Sequence, residues 1–274
     1  ELAHQWWGNQ VIPADMLGAK MLTESLAEYT ALKVLEQRYG KDLMRKFLKM
    51  DLDSYLKNRK REYNEEFPLM RATSGQEYVN YRKGALVFYA LSNYLGEEKL
   101  NGVLSAFIEK TKYRIPYTTS IELIEMISEA TPDSLQYLIT DMFEQVTFYN
   151  NDIQEATVTA LDNGKFQVDL KANISKYRLT GKKNKCTYED ENSKSISYNN
   201  PKLTKPIQSL PLADYIEIGI LDTKGNYLYL KKHQFTEINN ELSIIVDKHP
   251  FQVGIDPNSM LIDIVPRDNL VLIN

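Results

Sequence analysis

Glu1-Leu2-Ala3-His4-Gln5-Trp6-Trp7-Gly8-Asn9 opens the chain, and Leu22-Thr23-Glu24-Ser25-Leu26-Ala27-Glu28-Tyr29 follows after a short interval. In a helix of the H-E-x-x-H type, two imidazoles four residues apart share one face, because a turn holds about 3.6 residues. The glutamate beside the first imidazole lies on the same side, where it can take a proton from a metal-activated water. Glu1 stands in the place of that glutamate and His4 in the place of the second imidazole. The first imidazole belongs just before Glu1. A hydrolytic zinc usually takes three protein ligands and keeps a fourth position for water, so a second helix must supply another donor. Glu24 fits, since the 19 residues between His4 and Glu24 suffice for a turn out of one helix and into the next. Glu28 lies one turn later, either to accept a hydrogen bond from a ligating imidazole or as an ordinary surface or ion-paired helix residue.

Leu22, Leu26, Tyr29 and Leu32 recur at helical spacing, and Gly40 stands where a C-terminal cap belongs. Lys41 to about Met50 reads as another helix. Tyr81, Ala85, Phe88, Ser92 and Leu95 form a further stripe that Gly96 stops, and Glu97 to Lys110 continues in helical style. Thr119-Ser120-Ile121-Glu122 reads as a cap before an apolar run, and a last helix is expected over Pro132 to Val146. The period changes near Asn150-Asn151. Ala156, Val158 and Ala160 alternate with polar neighbours, Asn163-Gly164 follows, and Phe166, Val168 and Leu170 alternate again, which predicts a β-hairpin. Tyr215 to Leu221 and Tyr227 to Leu230, around Lys224-Gly225-Asn226, predict a second. Leu242 to Val246 and Phe251 to Ile255 add short strands, and Lys182 to Lys205 reads as a loop or ragged strands. The expected fold is α+β and multidomain: a helical part over residues 1–150, then an antiparallel β-sandwich over 151–274.

His4-Gln5-Trp6-Trp7-Gly8-Asn9 with Thr23-Glu24-Ser25-Leu26-Ala27-Glu28-Tyr29 resembles the gluzincin zinc metallopeptidases of the aminopeptidase N family. Their pattern is H-E-L-A-H-Q-W-x-G-N followed by an acidic ligand. The interval here is one residue longer. In this it resembles a bacterial subgroup whose peptidase domain is attached to an ABC-transporter permease. Tyr81-Arg82-Lys83-Gly84 is similar to the family's Y-x-K-G motif. The resemblance implies that residues 1–150 are the helical part of a gluzincin catalytic domain truncated at its N-terminus. It implies zinc held by His4, Glu24 and an upstream His, with Glu1 as general base. It also implies Tyr81 as hydrogen-bond donor to the tetrahedral oxyanion, a peptide substrate, and a parent protein on the outer side of a bacterial inner membrane. The family's substrate-anchoring G-x-M-E-N segment lies upstream of its zinc helix and is not among residues 1–274. Two rival readings stand beside this one: a non-catalytic interaction domain of a membrane transporter, and a metallohydrolase acting on a non-peptide substrate such as an epoxide.

Composition bounds the alternatives. The 274 residues are 43% hydrophobic and 26% charged with net charge −4, the balance of a globular protein. Residues 1–150 hold 18 basic and 21 acidic side chains and the rest hold 15 and 16, so neither half has the positive excess of a nucleic-acid binder. One cysteine, Cys186, forms no internal disulfide and reads as an incidental exposed thiol. No run approaches the ~18 apolar residues of a membrane span. The absence of an initiator Met, with a start already helical in character, reads as a piece of a longer protein. Trp6 and Trp7 are expected in the core, Gly8 at a helix end, and Tyr78 in a structural role. Lys57, Arg59, Lys60 and Arg61 are expected at a solvated helix end balanced by Glu62, Glu65 and Glu66. His233 and His249 read as ordinary surface or turn histidines.

Overall fold

Helices form wherever an apolar stripe runs between glycine stops. In the computed structural model, which describes residues 1–62, 65–178, 187–188, 196–197 and 208–273, α1 (Leu26–Tyr39) and α2 (Lys41–Arg61) are separated by Gly40 at φ +84°. Gly96 at φ +93° likewise separates α3 (Gly84–Leu95) from α4 (Glu97–Thr111). Positive φ costs glycine little and other residues more, so both helices stop where the sequence places these residues. The helix α2 runs well past Met50, because Leu52, Tyr55 and Leu56 extend the buried stripe begun by Met44 and Leu48. Thr119 caps α5 (Ser120–Ala130) by accepting the Glu122 N–H. The last expected helix is broken into a 3-10 turn (Asp133–Leu135), α6 (Tyr137–Ile139) and a π turn (Thr140–Glu144). Here Pro132 supplies no N–H, and Gln136 Nε2 donates back to the carbonyls of Ser128 and Thr131 at the end of α5.

Two compact units result. One is Glu1–Thr147, with which the described part of Arg178–Gln208 groups; the other is Phe148–Tyr177 with Ser209–Asn274. The helical unit centres on α3, whose residues Gly84 to Ser92 are all buried, with Phe88 packed against Tyr29 and Phe143. It also encloses an ion cluster. Buried Glu66 accepts hydrogen bonds from Tyr55 (2.8 Å), Arg59 (2.6 Å) and Lys83 (2.8 Å). The end of α2 is solvated at Lys57, Lys60 and Arg61 as expected, but Arg59 departs from that expectation and turns inward to Glu66.

The second unit is a sandwich of two four-stranded antiparallel sheets. Strands β1 (Thr147–Ala160) and β2 (Phe166–Arg178) form the first expected hairpin, with Gly164 at φ +78° in its turn. Two-residue strands β3 (Thr187–Tyr188) and β4 (Ile196–Ser197) pair with each other, and β5 (Gln208–Ser209) joins the β1–β2 sheet. The second hairpin is β6 (Asp214–Leu221) with β7 (Tyr227–Phe235). Strand β8 (Asn239–Val246) pairs with β2 from Phe166↔Val246 to Asn173↔Asn239. Strand β9 (Gln252–Ile255) lies beside β6, and β10 (Leu270–Leu272), which the sequence did not reveal, lies beside β9. Alternate residues fill the interior: Val168, Leu170, Ala172 and Ile174 from β2, and Ile216, Ile218 and Ile220 from β6. This is the period of two that strands impose. The expected α+β fold is thus observed, a helical part followed by a sandwich. Cys186 and most of Lys182 to Lys205 lie outside the described residues. Among the described residues no helix is long and apolar enough to cross a membrane.

Candidate active site

The opening motif folds as one 3-10 turn, Leu2–Gln5, closed by the His4 N–H on the Glu1 carbonyl at 3.1 Å. Only Trp7 of the tryptophan pair enters the core, where its Nε1 donates to Thr30 Oγ1 (3.1 Å); Trp6 is 41% exposed. The chain then reverses at Gly8, φ +109°. This reversal brings the Trp7 carbonyl within 3.0 Å of His4 Nδ1. A carbonyl only accepts, so Nδ1 carries a proton, and in the neutral ring the free lone pair sits on Nε2.

That Nε2 faces Glu24 Oε2 at 3.6 Å. Glu24 sits on a π turn, Met21–Ser25, leading into α1, and is 8% exposed. Its other oxygen, Oε1, accepts from Lys20 Nζ (3.1 Å) and Thr23 Oγ1 (3.2 Å). Burial alone would raise this carboxyl, but hydrogen bonds from Tyr81, Lys20 and Thr23 outweigh it and hold Glu24 below the ordinary carboxylate range. A lone-pair nitrogen and a carboxylate oxygen at this distance are suited to share a positive charge, whether a proton on the ring or a metal ion. Zinc bonds of about 2.0–2.2 Å at a tetrahedral angle set two ligand atoms about 3.3–3.6 Å apart. His4 and Glu24 therefore fit as two ligands of one zinc. Among the described residues no third His, Cys, Asp or Glu joins them.

Tyr81 occupies a second π turn, Tyr78–Lys83, leading into α3. The influence of the Glu24 carboxylate, with burial adding to it, pushes the Tyr81 phenol up to about 12, so it stays protonated and able to donate at neutral pH. The two π turns are locked together. In the second, the Gly84 N–H reaches back to the Val79 carbonyl, and the Asn80 carbonyl accepts the Ser25 hydroxyl of the first turn at 2.6 Å. Gly84 makes this approach possible, because a Cβ there would overlap Ser25 Oγ and Cβ.

The other expected residues are placed less centrally. Glu1 is exposed, and its side chain makes no hydrogen bond or ion pair among the described residues. Glu28 makes no hydrogen bond to His4, whose second nitrogen is taken by Trp7. Its carboxyl is raised by burial, with Asp51 and Glu24 adding to the rise and Arg82 opposing it. Arg82 in turn pairs with Asp51 at 2.9 Å. Tyr78 is buried and stacks on Tyr55 at 5.8 Å. His233 and His249 lie in the sandwich, bonded to the Tyr229 hydroxyl and the Pro250 carbonyl respectively. Lys20, Thr23 and Ser25 were not singled out in the sequence, although the four-residue spacing of Lys20 and Glu24 was a visible signal.

Residues 1–155 match the Peptidase family M1 domain. That is more than half of the chain, and the chain belongs to this family, whose members are zinc-dependent peptidases. Over 127 residues it is 29% identical to endoplasmic reticulum aminopeptidase 2 of Homo sapiens, a match covering 42% of this chain and 12% of that protein.

Proposed function

We propose that this chain is part of a zinc-dependent peptidase of aminopeptidase type that hydrolyses peptide bonds with a water nucleophile. The supporting observation is the convergence of His4 Nε2 and Glu24 Oε2 to 3.6 Å, with the π turn that bears Tyr81 locked to the one that bears Glu24. His4 and Glu24 would hold the ion together with a histidine upstream of Glu1. Zinc, when bound, would polarise the scissile carbonyl and lower the pKa of water. The chain's own residues carry the remaining work. Glu1 caps the 3-10 turn that carries His4, three residues before it, the place of the general base in the motif. In that position its carboxylate removes the proton of the attacking water and later delivers it to the leaving amine. Tyr81, protonated at neutral pH, donates to the oxyanion as the carbonyl becomes tetrahedral. The division near residue 150 belongs to this reading, with residues 151–274 as a separate sandwich domain. Attachment to a permease at a bacterial membrane rests on the longer His4–Glu24 interval.

The test uses the full-length protein extending upstream of Glu1. Zinc content and hydrolysis of aminoacyl and peptide substrates are compared for wild type and Glu1→Gln. Expected are stoichiometric zinc in both and loss of hydrolysis in the variant. Full hydrolysis by Glu1→Gln would remove it as the base, and a wild type that neither binds zinc nor cleaves peptides would leave a transporter interaction domain as the better reading.

A further inference from the structure

We propose that Lys20 is a positioning residue that occupies one oxygen of Glu24 so that only the other is offered to the metal; this rests on the zinc reading above. The two carboxylate oxygens are sorted. Oε1 receives Lys20 Nζ at 3.1 Å and Thr23 Oγ1 at 3.2 Å, while Oε2 receives neither and faces His4 Nε2 at 3.6 Å. The sorting is built into the local chain. Lys20 immediately precedes the π turn and Thr23 and Glu24 lie within it, so one turn of backbone fixes both donors and the acceptor. The charge matters as well as the geometry. An ammonium on a carboxylate forms a charge-assisted hydrogen bond, about twice as strong as a neutral one, whereas Thr23 shares its one hydroxyl proton with the Ala19 carbonyl at 3.4 Å.

The consequence concerns coordination number. A carboxylate with both oxygens free can grip an ion through both, and a hydrolytic zinc needs an open position for water beside its protein ligands. With Oε1 held by Lys20, Glu24 binds through one oxygen and that position stays open. Without Lys20, both oxygens of Glu24 would be able to reach the ion, and the water would become a fifth ligand in a crowded shell. Lys20 touches neither substrate nor metal in this scheme and acts wholly through Glu24.

The experiment is cobalt substitution of the full-length protein, comparing wild type, Lys20→Met and Lys20→Arg. Four-coordinate cobalt(II) absorbs visible light far more strongly than five-coordinate cobalt(II). Lys20→Met should retain one equivalent of metal but show a weaker, blue-shifted visible band, with kcat lower by about 10–100-fold, the usual size of an effect acting through a ligand's partner. Lys20→Arg, which keeps a cationic donor, should restore the wild-type band and most of kcat. A Lys20→Met band of unchanged intensity with unchanged kcat would overturn the proposal while leaving zinc catalysis standing. A wild type that takes up no cobalt would overturn both readings together.

Discussion

Tyr81 shows how a single side chain ties the site's electrostatics to its chemistry. The Glu24 carboxylate is the main reason its proton is held to about 12. Removing the hydroxyl in Tyr81→Phe leaves the packing of the turn nearly intact and deletes one donor. In the full-length enzyme kcat should fall by about 100–1,000-fold with little change in KM, the usual loss for one oxyanion donor; steady-state kinetics on a peptide substrate measure it. An unchanged kcat would assign the phenol to holding Glu24 alone. His4 and Glu24 could be proposed from the sequence because metal chemistry fixes residue type and spacing together, whereas Tyr81 comes only from the resemblance of Tyr81-Arg82-Lys83-Gly84 to the Y-x-K-G motif. The partner of His4 was not legible there. The Trp7 carbonyl becomes an acceptor only because the chain reverses at Gly8, and a backbone oxygen leaves no trace in side-chain patterns.

The elements that matter most are the two π turns, one bearing Glu24 and the other Tyr81. A π turn closes from residue i to i+5, one residue wider than an α turn, and such turns gather at functional sites. The interval from His4 to Glu24 is one residue longer than the aminopeptidase N pattern, and the turn Met21–Ser25 can absorb one added residue while Glu24 still faces His4. Hydrophobic spacing could not reveal this. Leu22, Leu26, Tyr29 and Leu32 mark the buried face correctly, but a stripe does not report the size of the ring that closes each turn. The same limit explains the broken segment before β1, read as a single helix. The contact between the π turns gives a stability prediction. Gly84→Ala drives a methyl into Ser25 and should destabilise the chain by about 1–3 kcal/mol, the range for overpacking. Ser25→Ala removes the hydroxyl from the Asn80 carbonyl and should cost about 1 kcal/mol. Combining Gly84→Ala with Ser25→Gly moves the methyl from one side of the contact to the other and should recover part of the loss. Urea midpoints of the single and double variants give the coupling; strict additivity would show that the two turns do not touch in solution.

At the scale of the whole molecule, each unit encloses a wholly buried acid, Glu66 in one and Asp263 in the other, and the two are shifted in opposite directions. In the helical unit, burial would raise Glu66, but Lys83 and Arg59 outweigh it and hold its carboxyl below the ordinary value. The Arg114 hydrogen bond, against the opposing effect of burial, lowers Glu122 to about 2. Acids depressed in the folded state contribute stability above their unfolded pKa and lose it as pH falls through the folded one, so this unit weakens in acid below about pH 4.5. Removing a partner has a similar effect at neutral pH: Lys83→Met, which leaves Glu66 buried with less charge opposite it, should cost about 3–5 kcal/mol. In the sandwich the sign reverses. Asp263 is wholly buried, and although it accepts the N–H groups of Asn151 and Val265, burial pushes it up to about 7; burial raises Asp268 to about 6. Between about pH 4 and pH 7 the folded Asp263 keeps a proton that the unfolded chain has lost. Stability is then fully present below pH 4 and falls as pH rises through 7, by on the order of 4 kcal/mol for a shift of this size. Trp6 and Trp7 are the chain's two tryptophans, so fluorescence follows the helical unit, while hydrogen exchange at Val168 to Ile174 and Ile216 to Ile220 follows the sandwich. From pH 8 to pH 5 the strand amides, corrected for intrinsic rates, should gain protection while the fluorescence midpoint in urea holds steady; below pH 4.5 the midpoint should drop. Asp263→Asn, which cannot titrate, should flatten most of the strand response. Strand protection that falls between pH 8 and pH 5 would show that Asp263 is ionised in the folded sandwich at neutral pH, and an equal rise in that variant would assign the response to the other raised acids, Asp256 and Asp268.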